Sequence, residues 1–335
     1  MRRIARFSTL SLLVCTAMGQ TVRPPRKIAA ATIRSTSTLV IVPTLVKSTA
    51  GKFVTDLRAS DFTLTDNGVK QKVSVEEVKN QGIAVVVLMQ TGGAAPDEFQ
   101  NYRTFTSVLD VTASTSNRKV ALVTFDSQVR QIWNFPPKTD GLEYAFAHPN
   151  RGDNGAAIMD AVNRGIDLLQ EQPVSLRRII LLLSQPQDAG STLLPSDVVR
   201  RLGESNTVIY SVTFSPKRTK ERKINTESCS ANTAQDGVLF NDIPSTLLKR
   251  ICQETASQIA MLSGGETILI QNKAFLKQSV AILADDFSNS YTLSFQPSSH
   301  SSGFHQIRVS AGRQSSHLRV SSRTGYWVRQ KASEK

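Results

Sequence analysis

The sequence predicts an α/β fold: a doubly wound, mostly parallel sheet inserted in a β-sandwich formed by the N- and C-terminal segments. Three observations predict it. The stretch GIAVVVLMQTGGAAPDE, starting at Gly82, is apolar without alternation from Ala84 to Leu88, then breaks into glycines and an acidic helix start. A strand buried on both faces that ends at a ligand-binding loop reads this way. Strand and helix patterns then alternate through residues 82–287. Finally, β-rich segments flank this region on both sides, and neither is large enough to fold alone, so one sandwich built from both is the economical arrangement.

The elements follow in order. Arg2, Arg3 and Arg6 precede LSLLVCTAMG, and Ala17 and Gly19 have the spacing for cleavage before Gln20. Residues 1–19 therefore read as a signal peptide. A core helix is the other reading of this run, and its place at the extreme N-terminus favours the signal. Val14 before Cys15 is too bulky for lipoprotein cleavage. Residues 20–36, rich in Pro, Arg and Thr, form a flexible leader. The N-terminal β segment, 37–81, has two β-rich runs around Ala50-Gly51. Asn67-Gly68 then marks a hairpin between Phe62/Leu64 and Val69/Val73/Val75. About four short strands are expected.

In the α/β domain, strands are expected at 83–89, 119–126, 128–135, 177–184, 207–214 and 266–270. Helices are expected at 97–114, 156–172, 195–205 (opened by Ser196), 244–265 (closed by Gly264-Gly265) and 272–288. Ile158, Ala161, Val162, Ile166 and Leu169 share one helix face. The C-terminal β segment, 288–329, carries three strand candidates and pairs with 37–81; residues 330–335 are a tail.

The chain has 335 residues, 40% hydrophobic and 20% charged, with a net charge of +13. Three of these charges leave with the signal. The remaining basic residues are scattered, apart from PKRTKERK at 216–223, which has no interleaved aromatics and reads as a solvated loop. The pattern gives no support for nucleic-acid binding and leaves room for contact with an anionic envelope surface. No later apolar run approaches the ~20 residues of a membrane span, so no integral membrane segment is expected and the protein is placed in the periplasm or outside the cell. Cys229 and Cys252 remain after export. They flank a polar insertion, 215–243, and a disulfide between them is expected, with two buried thiols as the alternative.

The strand–loop at 83–94, "FD" closing the second strand, NGAAIMDAV opening a helix and IILLLS entering another loop resemble the von Willebrand factor A (VWA) family. The N-terminal segment LVIVPTLV…GKFVTDLRASDFTLTDNGVKQKVSVEE and the late GYWV resemble its secreted bacterial, acidobacterial-type VWFA-related branch. The resemblance implies a metal-ion-dependent adhesion site with oxygen ligands from three loops. At the matching positions this chain has Gln90, Gly92 and Ala94 in the first loop, Ala156 in the second and Gln185 in the third. All five have lost the family ligand, so the site is degenerate and no metal or other cofactor is expected. Mg²⁺ would bind only if Asp97, Asp153 and Asp188, which lie near the same loops in sequence, rebuilt it.

Other motifs carry less. The Gly92-Gly93 loop matches neither phosphate-binding pattern. Arg151-Gly152-Asp153 is a chance turn tripeptide. His148, His300, His305 and His317 lack metal spacing, with His305 and His317 expected on exposed strands. No G-x-S-x-G elbow is present. Tyr326-Trp327 is expected to pack in the sandwich. The reading is an exported, non-enzymatic protein for protein binding or envelope scaffolding, its partner unknown. A metal-dependent adhesion module with a displaced ligand set and an unrecognised hydrolase are the alternatives.

Overall fold

The computed structural model describes residues 39–77, 81–106, 118–214, 243–270, 273–299, 301–312 and 318–328. The signal, the leader, the tail, PKRTKERK and Cys229 lie outside the described residues, and the expected Cys229 link with them. Cys252 lies on a helix.

The central sheet has six strands, in the order β10 (Thr267–Ile270), β9 (Thr207–Phe214), β8 (Arg177–Ser184), β5 (Ile83–Gln90), β6 (Arg118–Phe125) and β7 (Val129–Trp133). All neighbours are parallel except β7, which returns antiparallel beside β6. Helices cover both faces, so every residue of β5 and β9 is buried; this is why their sequences run apolar without alternation. One face packs on α3 (Ile158–Gln170), α4 (Pro195–Glu204), α5 (Ser245–Gln253) and α6 (Thr255–Ser263). The other packs on α1 (Phe99–Tyr102), α2 (Asp140–Ala147) and α7 (Lys273–Ser288).

Several helix expectations need correction. The helix expected at 97–114 is, where described, a string of single turns: a 3₁₀ turn at Ala95–Glu98, α1, and a second 3₁₀ turn at Arg103–Phe105. Helix α2 was not expected, although Leu142, Ala145 and Phe146 have the spacing of one buried face. The helix expected at 244–265 is two, broken at Glu254. Helix α4 is opened by Leu194 with Pro195 at its first position, not by Ser196. Gly264 does close α6, in a left-handed conformation at φ 90°.

The strands of the two chain ends interleave. β1 (Val40–Ser48) lies between β11 (Tyr291–Phe295) and β13 (Leu318–Ser322), and β4 (Val73–Glu77) extends that sheet beside β11. A second four-stranded sheet runs β14 (Gly325–Val328), β12 (Gly303–Ala311), β2 (Phe62–Asp66), β3 (Val69–Gln71). Asn67 and Gly68 join β2 to β3 with φ of 48° and 84°, both left-handed, as a two-residue hairpin requires. Val42, Leu64, Leu293, Phe295, Ile307 and Tyr326 bury one shared cluster. Phe53, expected in a strand, makes only an isolated bridge to Lys47.

Arg323 ties these sheets to the α/β domain. Its buried guanidinium donates to the carbonyls of Leu202 (2.9 Å), Gly203 and Ser205 (3.0 Å) at the C-terminal end of α4, to Gly325 O (2.8 Å) and to Ile41 O (3.3 Å). Burial pushes it down to about 10. A cation is well placed at these carbonyls, the negative end of the helix dipole. Trp327 packs beside the same helix end, where a Cβ on Gly203 would come within 3.2 Å of it. Arg323→Met is expected to lower unfolding free energy by roughly 3 kcal/mol or more, because several buried carbonyls lose a charged donor together; urea unfolding checks it.

Lys47 makes a second tie. Its ammonium lies 2.9 Å from Glu266 and 3.0 and 3.1 Å from the two oxygens of buried Asp286. The hydrogen bond goes to Oδ2, and Oδ1 has no hydrogen-bond partner among the described residues. Burial pushes the Asp286 carboxyl up to about 7, against the pull of Lys47. Between its ordinary value of 3.8 and about 7 the folded state therefore keeps a proton that the unfolded chain has lost. Stability must fall as pH rises through that window. Urea midpoints measured from pH 4 to 7 are expected to show a decline that Asp286→Asn flattens.

Candidate functional site

The chain leaves β5 for β6 on one side and later reaches β8 on the other. The loops after β5 and β8 therefore flank the point where strand order reverses, and open α/β sheets bind ligands in that crevice. Here the crevice is closed. Gln90, the last residue of β5, is fully buried. Its Nε2 donates to Gly92 O (2.9 Å) and to Gln185 Oε1 (3.1 Å), and its Oε1 accepts from Gln185 N (2.8 Å). Gln185, just after β8, gives its own Nε2 to Gln187 O (3.0 Å). The two amides thus use their donors and acceptors on each other and on nearby backbone. From behind, buried Tyr102 donates to Gln90 O at 2.8 Å, and burial holds its hydroxyl well above the usual value.

The loops approach too closely for side chains. A Cβ on Gly92 would stand 2.5 Å from Gly155 O and 2.6 Å from both Asp126 Cβ and Asp153 O. Gly93 has φ 56°, and a Cβ there would reach Gln185 Oε1 at 2.8 Å. Ala156 is buried and paired with Ala189 through two backbone hydrogen bonds of 2.7 and 2.8 Å, which ties the second loop to the third. Ala94 precedes the first 3₁₀ turn.

The three aspartates do not converge. Asp97 is exposed on that 3₁₀ turn. Asp153 accepts from Ser127 N (3.0 Å), Ser127 Oγ, Gly155 N (2.7 Å) and Arg130 Nη2 (3.3 Å). These bonds, the Ser127 hydroxyl first, hold it below the usual carboxylate value. Asp188 accepts from Ser191 and from Met159 N (3.1 Å) at the start of α3, while burial raises its carboxyl. It serves as a helix cap from a neighbouring loop. Among the described residues no group of three or more His, Cys, Asp or Glu side chains could hold a metal. The donors at the five family positions do not fit a divalent ion either: two amides already bonded to each other and three side chains without oxygen.

Sequence reasoning missed Asp126 and Arg130. Asp126, buried at the end of β6, takes Arg130 Nε on both oxygens at 2.7 Å, with Gln128 N (3.0 Å) and Asp153 N (3.2 Å). The "FD" closing the strand was the visible signal, but nothing in the sequence pairs it with Arg130 on the returning strand.

His305, expected on an exposed face, is instead buried. Nδ1 lies 2.9 Å from Asp66, which also accepts from Tyr326 OH (2.9 Å). Nε2 lies 2.8 Å from the Ser301 carbonyl and 3.1 Å from its hydroxyl. The cluster satisfies buried polar groups between the strands.

No family model and no curated protein matches the chain. Among solved structures it is similar to a von Willebrand factor type A protein from Catenulispora acidiphila, at 11% identity, TM-score 0.43, over 82% of this chain and 76% of that one. It is also similar to an aerotolerance-related membrane protein from Bacteroides fragilis (12%, 0.40, 61% and 99%). A third is proximal thread matrix protein 1 from the mussel byssus with a zinc-occupied MIDAS motif (11%, 0.43, 67% and 50%). At TM-scores below 0.5 these likenesses carry no functional argument, which rests on the residues of the site.

The close approach at Gly92 has a measurable consequence. Gly92→Ser, the change toward the family ligand, is expected to destabilise the protein by about 1–3 kcal/mol, because the atoms it meets are mostly backbone. Thermal unfolding of the variant checks it.

Proposed function

We propose that the chain is an exported, non-enzymatic protein of VWA type that binds a protein partner, or scaffolds the envelope, through the loop end of its parallel sheet without a divalent ion. In this reading the α/β domain is inserted in a β-sandwich of its two ends, and Cys229–Cys252 staples the insertion. By loop-entropy arithmetic such a staple contributes about 3 kcal/mol. The setting is periplasmic or extracellular, where the basic surface meets an anionic envelope.

The supporting observation is the reciprocal bonding of Gln90 and Gln185 at 2.8 and 3.1 Å. Metal binding at the family position must break these bonds and then coordinate through neutral oxygens. A rebuilt site would need Asp153 and Asp188 to leave Arg130, Ser127 and the start of α3. A ligand that binds only the folded state adds about 2.7 kcal/mol of stability at 100 times its dissociation constant. Millimolar Mg²⁺ or Mn²⁺ is expected to leave the melting temperature unchanged, as is EDTA. A rise abolished by changing Asp97, Asp153 or Asp188 would establish the displaced-ligand reading instead.

A further inference from the structure

Beside the closed crevice lies an open cleft of about 450 Å³, within the size range of small-ligand sites. It is walled by Thr91, Asp126, Arg130, Asn150, Arg151 and Asp153, and it opens where β5 and β6 end. Its backbone is fixed by the same close contacts: Gly152 N donates to Thr91 O at 2.9 Å, and a Cβ on Gly152 would meet Asp126 at 2.7 Å. The tripeptide Arg151-Gly152-Asp153 thus forms a rigid wall of this cleft.

We propose that this cleft binds a single carboxylate of a partner protein, an Asp or Glu side chain or a chain end, through Arg130 and Arg151. The inference rests on the reading of the loop end as a binding face and assigns its ligand chemistry. Arg130 is held before any ligand arrives: Nε bonds both oxygens of Asp126 and Nη2 reaches Asp153. Its Nη1 hydrogens and the second Nη2 hydrogen remain unspent on these partners. The Arg130 side chain is 45% exposed. Arg151 is exposed, with no ion-pair partner among the described residues. Two arginines line the one cleft, and guanidinium forks suit a planar carboxylate. Fixing one of them in advance removes part of its ordering cost.

Asp126 and Asp153 balance the charge of the cleft. Their oxygens are occupied by N–H and O–H donors. Their charges still offset Arg130 and Arg151, so the four groups sum to zero. With no net charge of its own the cleft gains nothing from a more highly charged ligand, and the free N–H groups offer donors for one carboxylate.

The test is a titration of the full chain with an N-acetylated, C-amidated Ala-Glu-Ala peptide, which carries one carboxylate, followed by amide NMR and calorimetry. Saturable binding with shifts at Thr91, Gly152 and Arg151, weakened about tenfold or more by Arg151→Gln, is expected. Lys70→Gln, which removes the same charge from exposed β3, should change the affinity less than twofold. Arg151 has no ion-pair partner among the described residues, so its variant should fold even where Arg130→Gln does not. Equal loss in the Arg151 and Lys70 variants, unchanged affinity in Arg151→Gln, or inorganic phosphate competing at equal concentration would each overturn the proposal. Absence of peptide binding, with divalent ions still without effect on stability, would overturn the cleft assignment alone and leave the metal-free reading standing.

Discussion

The loop end of this protein depends on one steric constraint: at Gly92 there is no room for a side chain. A Cβ there would stand 2.5 and 2.6 Å from the carbonyls of Gly155 and Asp153, so the first loop lies directly on the second. The consequences run outward from that contact. Thr91 N donates to Phe125 O at 2.7 Å, Gly93 N donates to Asp153 O at 2.8 Å, and Gln90 is left facing Gln185 across a gap that two side-chain amides fill. A divalent-ion site of the family type needs a hydroxyl-bearing residue where this glycine sits. Placing such a ligand here would therefore require the backbone of both loops to move, beyond any exchange of side chains.

The same economy governs the seam between the β-sheets and the α/β domain. Arg323 has no carboxylate among the partners that hold it; its donors go to backbone carbonyls at the end of α4 and in β1. Beside it, Lys47 brings a cation to Asp286, whose burial costs more than one ammonium returns. Buried charges of this kind fix relative orientation more than they add stability. Their placement ties the interleaved strands of both chain ends to the C-terminal ends of α4 and α7.

Much of this was legible in the sequence. The parallel strands stood out because burial on both faces removes alternation, and the Asn67-Gly68 hairpin because its turn demands left-handed residues. Gln90 and Gln185 could be placed at the starts of loops because the apolar runs before them end there. What could not be read was pairing at a distance. Gln90 and Gln185 are 95 residues apart, and nothing local in either stretch announces their bond. Asp153 and Asp188 looked available because sequence shows proximity and hides competing donors such as Ser127 and Ser191. His305 looked exposed because a polar residue on an alternating strand normally is, and the buried Asp66 that receives it lies 239 residues away. The breaks at Ala95–Phe105 and Glu254 reflect tertiary packing that overrides helix propensity.

The most direct measurement is on the two glutamine side-chain amides. In proton NMR spectra, the Nε2 hydrogens of Gln90 and Gln185 should be resolved and slow to exchange with solvent. They should stay sharp when millimolar Mn²⁺ is added, because the crevice they fill admits no paramagnetic ion. Selective broadening of these two amides by Mn²⁺, reversed by EDTA, would contradict the account and show that the crevice opens to a metal.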